Sequence, residues 1–344
     1  MKINENISVI CPFFNEQDII AAALEIMVKN LNNHFNEWEL ILVNDGSSDK
    51  SLSIVTEEAK KHGSRVRILS YKRNQGRGRA IKSGIDLANG DIVVTTEIDC
   101  SWGDTVICEL VDKLVSDNLH AVVASPHCQG GGMVNVPFHR RVLSRFGNKV
   151  INTFFKSGVT MNTGMTRAYR REVIQPLIIK ENGKEFHLEV LLKLNALNLH
   201  LGEIPATLSW IDKNLSRTNR LNNRKSSTKI FKTIFSHIDF LSVAQPRNSF
   251  TVLAMICFIG GIGFLIWATI QLLKGQVSAF FAIVGLQLLL FALIFLGFSV
   301  VFFQLRELLS ENWLRYYKNN IPPNLDKVEE VSKSSSEKDS NQNV

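Results

Sequence analysis

Residues 39–49 read ELILVNDGSSD, and the change of character inside this stretch decides the fold. Glu39 to Val43 is an apolar run of strand length. It stops at NDGSSD, a cluster of residues that favour turns. Ser51 to Lys61 then has helical spacing, with Asp49 placed near its start as a cap.

The same strand–turn–helix unit recurs on either side. Ile7 to Cys11 is a short apolar run ended by Pro12, and Gln17 to Leu31 repeats Ile20, Leu24, Met27 and Leu31 at helical spacing. Val66 to Tyr71 is a third strand, Gly78 to Ala88 a helix behind a glycine-rich turn, and Asp91 to Thr96 a fourth strand. This alternation predicts a parallel sheet covered by helices on both faces. Ligands bind such sheets outside the carboxyl ends of the strands. The unusual polar residues gather at those ends: Pro12-Phe13-Phe14-Asn15-Glu16, Asn44-Asp45-Gly46-Ser47-Ser48-Asp49 and Glu97-Ile98-Asp99. Taken singly, each is also ordinary turn chemistry.

Glu97 and Asp99 are the sharpest pair. Residues two apart in an extended chain point to one side, and two carboxylates held there repel unless a cation or a proton relieves them. A hard divalent ion, Mg²⁺ or Mn²⁺, suits oxygen ligands together with substrate phosphates. Gly76-Arg77-Gly78-Arg79 precedes a helix and is a candidate phosphate cradle, with Arg77 and Arg79 as diphosphate contacts; solvated arginines at a helix start are the alternative. The spacing is not GxGxxG after the first strand, which argues against a dehydrogenase.

Further on, SPHCQGGGMVNVPFHRRVLSRFGNKV spans residues 125–150. Gly130-Gly131-Gly132 predicts a mobile loop. Arg140, Arg141 and Arg145, with Ser144 and Asn148, recur at roughly helical spacing and offer guanidinium groups to a phosphate. Phe186-His187-Leu188-Glu189 opens an apolar helix.

Near the C-terminus two long uncharged runs, Asn248 to Leu273 and Gly275 to Leu305, are separated by Lys274 alone. Each is long enough to span a bilayer. Arg217, Arg220, Arg224, Lys225, Lys229, Lys232 and Arg247 precede the first run, and Arg306, Arg315 and Lys318 follow the second. The positive-inside rule then places both flanks in the cytoplasm. Ser227 to Ala244 carries an apolar stripe (Ile230, Phe231, Ile234, Phe235, Ile238, Leu241) suited to the membrane interface. The polar, serine-rich tail after Ile321 has the composition of a disordered segment. The net charge of +7 comes without an aromatic-interleaved basic module, so no nucleic-acid partner is expected. The five cysteines form no CxxC pair, and the opening residues are too polar for a signal peptide.

Together VICPFFNE, LILVNDGSSDKS, NQGRGRAIKSGI and GDIVVTTEID, in this order, resemble the inverting family 2 glycosyltransferases, in particular the dolichyl-phosphate mannose synthase-like enzymes and their bacterial polyprenyl-phosphate relatives. The resemblance covers about residues 7–245. It implies an α/β GT-A fold, a nucleotide-sugar donor (UDP- or GDP-sugar) and a divalent metal. It assigns Pro12, Asn15, Glu16 and Asp45 to the nucleoside and Glu97 and Asp99 to metal and diphosphate; TRAYRREV resembles the acceptor-side motif, with Arg167 in the matching position and counted among the donor-binding candidates. Arg141 and Arg145 fall beside the lipid phosphate, and Glu189 matches an acid near the reacting groups. Glu97 stands where an Asp is usual, Ser101 where a Gln is frequent, and Met161 where an acid often opens the acceptor motif.

The expected organisation is a cytoplasmic catalytic domain over 1–225, a juxtamembrane amphipathic segment over 226–247, a transmembrane hairpin over 248–305 and a partly disordered tail over 306–344. The expected activity is sugar transfer to a polyprenyl phosphate on the cytoplasmic leaflet, with a homo-oligomer as one expected assembly. An already anionic phosphate acceptor needs alignment more than a base. A hydroxyl acceptor would instead need Asp99, Glu189 or His187 to take its proton. A non-catalytic membrane scaffold is the reading from another class.

Overall fold

A computed structural model describes residues 4–155, 158–209, 246–276 and 279–320. The juxtamembrane segment 226–245, the basic block 217–225 and the tail beyond 320 lie outside the described residues. The chain forms two compact units, a head and a helical hairpin.

The head begins with β1 (Ile7–Phe13), α1 (Ile20–His34), β2 (Trp38–Asn44), α2 (Ser51–Ala59), a 3-10 turn over Lys60–Arg65, β3 (Val66–Ser70), α3 (Arg77–Leu87) and β4 (Ile92–Thr95). All four strands are parallel, with Val9 opposite Leu40 and Val94. β1 shows why the sheet is covered on both sides. Ile7, Val9, Cys11 and Phe13 enter one core with α1 and α4 (Val106–Ser116), whereas Ile10 joins the other with Ala80, Ile81 and Ile85 of α3. That alternation is the two-residue period of a strand.

Pro12 does not end β1, which runs on to Phe13. The Phe13 carbonyl accepts from Asp45 on the β2 side, so residue 12 faces the β4 side. The β4 ladder stops at the Ile10–Thr95 pair, and the missing N–H of proline breaks no bond there.

After α4 come β5 (Ala121–Ser125), β6 (Gly132–Val134), α5 (Phe138–Phe155), β7 (Arg167–Arg170), α6 (Arg171–Ile174), α7 (Phe186–Ala196), β8 (Leu201–Pro205) and β9 (Thr207–Ser209). The main sheet has the order β3-β2-β1-β4-β7-β5-β8. β7 is antiparallel to both β4 and β5, so the expected all-parallel sheet is corrected to a mixed one. The triple glycine is not the loose loop expected from composition. Gly132 starts β6, which pairs with β9, and a Cβ on Gly131 would lie 2.5 Å from the Ser125 carbonyl. These glycines permit close backbone approach.

The second unit, which ends at Trp313, holds α8 (Pro246–Leu273) and most of α9 (Ala279–Asn320), with Gly275 at φ 74 in the turn after α8. Pro246–Leu273 and Ala279–Leu305 are long and apolar enough to cross a membrane. Only 11% of each apolar window is buried, which argues against ordinary soluble core helices. Phe250 stacks on Phe302, and Thr251 Oγ1 lies 2.7 Å from Ser299 Oγ, a polar pair between the two helices. α9 continues past the apolar run to Asn320, so the first part of the expected tail is helical.

Candidate functional site

The ends of β1 and β2 are joined by a chain of hydrogen bonds. Asn15 adopts φ 56, a left-handed conformation that Asn tolerates. Its N–H donates to Ser47 Oγ at 3.0 Å, and its Oδ1 accepts from the Ser48 N–H at 2.8 Å. Glu16 N–H reaches Ser51 Oγ at 2.8 Å. The N-cap of α2 is Lys50 rather than the expected Asp49, which stands one residue earlier and accepts from Ser51 N–H and from Gln17 N–H. These bonds to Asp49 hold its carboxyl below the usual range against the opposing effect of burial. Turn residues separated by about thirty positions thus build one polar shelf.

Asp45 is buried at 4% exposure and reaches over that shelf. Its Oδ1 accepts from Gln75 N–H at 2.7 Å and its Oδ2 from Gly76 N–H at 3.1 Å. It therefore holds the turn that starts α3. Gly76 and Gly78 do not line an open cradle. Gly76 lies against the Asn182 backbone, and a Cβ on Gly78 would sit 2.7 Å from the Gly183 carbonyl oxygen and 2.8 Å from Phe186 Cβ. Their role is to let the 179–185 loop close onto α3. Arg77 and Arg79 stay exposed at the helix start, and Arg77 pairs with Glu97 at 3.5 Å.

Glu97 and Asp99 lie in the turn after β4, with Cys100 at φ 51. Glu97 Oε2 accepts from Ser101 Oγ at 3.3 Å and from the buried Trp102 Nε1 at 3.2 Å. Among the described residues Asp99 Oδ1 accepts a 3.2 Å bond from Ser101 N–H, and its side chain is partly exposed. Cys11, buried at the end of β1, reports the convergence. Burial pushes its thiol up first, and Cys100, Asp99, Glu97 and Glu16 push it further. No group of three or more His, Cys, Asp or Glu able to enclose a metal occurs among the described residues. Two carboxylates at a solvent-accessible edge nevertheless fit a hard divalent cation whose other ligands are water and substrate phosphate oxygens.

On the other side, Ser209 N–H donates to the Ser101 carbonyl at 2.8 Å. The acid turn is thereby tied to β9, its partner β6, and so to the entry of α5. Arg141 is half-buried and donates to the Val136 carbonyl at 3.3 Å, whereas Arg145 is exposed. His127 Nε2 lies 3.1 Å from Ser144 Oγ, and burial followed by Arg145 lowers its pKa. Sequence reasoning did not assign His127, Trp102 or Glu203. Glu203 accepts from Thr160 N–H at 2.7 Å and Thr160 Oγ1 at 2.8 Å, bracing this side.

Two sequence assignments change. Arg167 is fully buried and spends its donors on carbonyls: Nε on Gly164 at 2.7 Å, one terminal nitrogen on Asn162 at 2.6 Å and the other on His187 at 3.1 Å. It fastens backbone and has no exposed face for a donor. Glu189, 7% exposed, accepts from the N–H groups of Lys180 and Glu181 and pairs with Lys193. A carboxylate so engaged is poorly placed to take a substrate proton.

Comparison with known proteins places this geometry. A model of the family described as glycosyl transferase family 2 matches residues 8–178. Residues 8–178 belong to glycosyl transferase family 2. This span carries the shelf, the α3 turn, the acid turn and most of the sheet. The undecaprenyl-phosphate 4-deoxy-4-formamido-L-arabinose transferase of Edwardsiella ictaluri is 31% identical over 177 residues, 52% of this chain and 53% of that protein. The corresponding Serratia proteamaculans transferase is 30% identical over 178 residues, 51% and 52% of the two chains. The chain thus spans about half the length of the curated relatives it matches. Among solved structures, glucosyl-3-phosphoglycerate synthase from Mycobacterium tuberculosis in complex with UDP superposes with a TM-score of 0.50 at 17% identity, covering 70% of this chain and 80% of that one. Its complex with Mn²⁺, UDP and glucosyl-3-phosphoglycerate also gives 0.50, at 16% identity over 69% and 80%. The head, whose residues 8–178 match that family's model, has a GT-A-like fold, as its motifs implied.

Proposed function

We propose that the chain is a membrane glycosyltransferase that moves a sugar, with inversion, from a nucleoside-diphosphate donor to a polyprenyl phosphate. The observation that carries this reading is the convergence, at one sheet edge, of the Asp45-held turn bearing Arg77 with the acid turn bearing Glu97 and Asp99. The names of the curated relatives supply the acceptor class, and the two membrane-length helices suit a lipid acceptor.

The shelf of Pro12, Asn15, Glu16 and Asp45 would seat the nucleoside. Arg77 and Arg79 would offset the diphosphate charge. A divalent cation would be held by Asp99 with Glu97 beside it, and when bound it supplies charge neutralisation for the leaving diphosphate. The Mn²⁺ complex of the structural neighbour supports a metal, with Mg²⁺ equally suited to these oxygen ligands. Arg141, Arg145 and Ser144 would orient the acceptor phosphate. One of its oxygens attacks the anomeric carbon as the bond to the diphosphate breaks, and the electron pair leaves with the diphosphate. A single displacement inverts the centre, and an anionic nucleophile needs no strong base. The engagement of Glu189 with backbone supports this acceptor over a hydroxyl. A cytoplasmic active face follows from the basic flanks of the hairpin.

The test is transfer of radiolabel by the purified full-length protein, with Mg²⁺ or Mn²⁺, from UDP- and GDP-sugars to polyprenyl phosphate. Label in a lipid cleaved by mild acid supports the proposal. Acid-stable lipid label points to a hydroxyl acceptor. No transfer and no nucleotide binding would point to a scaffold.

A further inference from the structure

We propose that Glu189 is a positioning residue for the nucleotide-sugar donor, acting through the 179–185 loop on the Gly76–Arg79 turn. The proposal rests on the donor site described above, and it adds a residue more than a hundred positions away to that site.

Glu189 occupies the first turn of α7, where a carboxylate is favoured by the helix dipole. Both its oxygens face the Lys180 N–H, at 3.0 and 2.9 Å, and Oε2 also accepts from Glu181 N–H at 2.8 Å. Lys193, one turn on, pairs with Oε1 and also donates to the Ile178 carbonyl. The carboxylate thus folds the chain back over the start of its own helix.

The folded loop presents three contacts to α3. The Asn182 carbonyl accepts the Arg79 N–H at 3.2 Å, and the Ile179 carbonyl accepts from Lys82 Nζ at 3.0 Å. Gly78 packs against Gly183 and Phe186 with no room for a side chain. From the opposite side, Asp45 grips Gln75 and Gly76. The turn is held between two carboxylates, Asp45 directly and Glu189 through the loop. Arg77 leaves this turn toward Glu97, so lifting the loop would release the arginine meant for the diphosphate. Proton transfer plays no part in this role.

Glu189→Gln keeps the shape but turns an amide N–H₂ toward backbone N–H groups, which removes at least one bond. The acceptor side, built on α5, β6 and β9, is not part of this chain of contacts. The experiment uses full-length protein in detergent, with UDP and GDP as binding probes, donor and acceptor KM, and amide hydrogen exchange. For Glu189→Gln we expect about tenfold weaker nucleotide binding and a donor KM raised to match, corresponding to loss of one or two such bonds. Acceptor KM should stay unchanged, and amides of residues 76–80 should exchange faster. Gly78→Ala, which pushes on the same contact from α3, should give the same pattern if Glu189→Gln fails to fold. The double variant should be far less than additive. Unchanged nucleotide binding in both variants would overturn this proposal alone. A fall in kcat with donor KM intact would also overturn it and return Glu189 to proton transfer. Wild-type protein that binds neither nucleotide would overturn the donor reading together with it.

Discussion

Asp45 and Gly76, thirty-one positions apart, are joined by a 3.1 Å hydrogen bond from the glycine N–H to the aspartate Oδ2, while Oδ1 accepts from the neighbouring Gln75. A residue that the motif resemblance assigns to the nucleoside is therefore also the strut that sets the turn before α3.

Because of this double duty, Asp45→Ala should weaken both fold and donor site. Two backbone N–H groups, on exposed Gln75 and half-buried Gly76, lose their acceptor, at about 1 kcal/mol for each such bond. A lowered thermal midpoint, together with loss of UDP or GDP affinity in titration, is the expected pair of results. Full stability with weakened nucleotide binding would assign Asp45 to ligand contact alone.

Asp99→Ala should abolish transfer while leaving membrane insertion intact, since the Asp99 side chain holds little more than the Ser101 N–H among the described residues and the hairpin is a separate unit. Glu97→Gln should be milder for the metal but should loosen Arg77 and the Trp102 indole from the turn. Metal titration and carbonate extraction of membranes check the two halves. Wild-type activity in Asp99→Ala would sink the metal assignment.

Arg145→Ala should raise the KM for polyprenyl phosphate by about tenfold, the worth of one charge-assisted contact, and leave the donor KM alone. Arg145 is exposed, so added salt should shrink the difference. Steady-state kinetics at two ionic strengths decide this.

Arg167→Met should destabilise the head without a donor-specific defect. Three carbonyls lose their donor inside the core, a loss on the order of 3 kcal/mol. Thermal unfolding should register it, and nucleotide affinity of the remaining folded protein should match wild type.

Acid should weaken the head through His120. Burial, then His200 and Arg170, lower its pKa to about 4 from 6.5. Between those values the unfolded chain binds the proton and the folded one does not, so stability is full above about pH 6.5 and declines as pH falls toward 4. The loss from this group is at most about 3 kcal/mol. His120→Asn keeps an acceptor for the His200 N–H, a 3.1 Å bond in the wild type, and should flatten the decline in unfolding experiments across that window.

Much of the head was legible because its signals are local. The four parallel strands lie within about two residues of their expected places, since an apolar run bounded by turn formers needs no distant partner to be recognised. β5, β7 and β8 carry weaker signals: Arg167–Arg170 has two arginines in four residues and is a strand only because β4 and β5 flank it. The shelf and acid turn were equally visible as polar residues at strand ends. Trp102 and His127 were not, because nothing in their spacing announces a bond to Glu97 or Ser144.

The sequence by itself determined the strand–helix alternation, the polar edge and the two membrane-length helices, all of which follow from hydrophobic period and run length along the chain. Only the tertiary structure decided what Gly78, Arg167 and Glu189 do. Their partners are backbone groups, and backbone N–H and C=O are the same at every residue, so no pattern of side chains marks which of them folding will bring together.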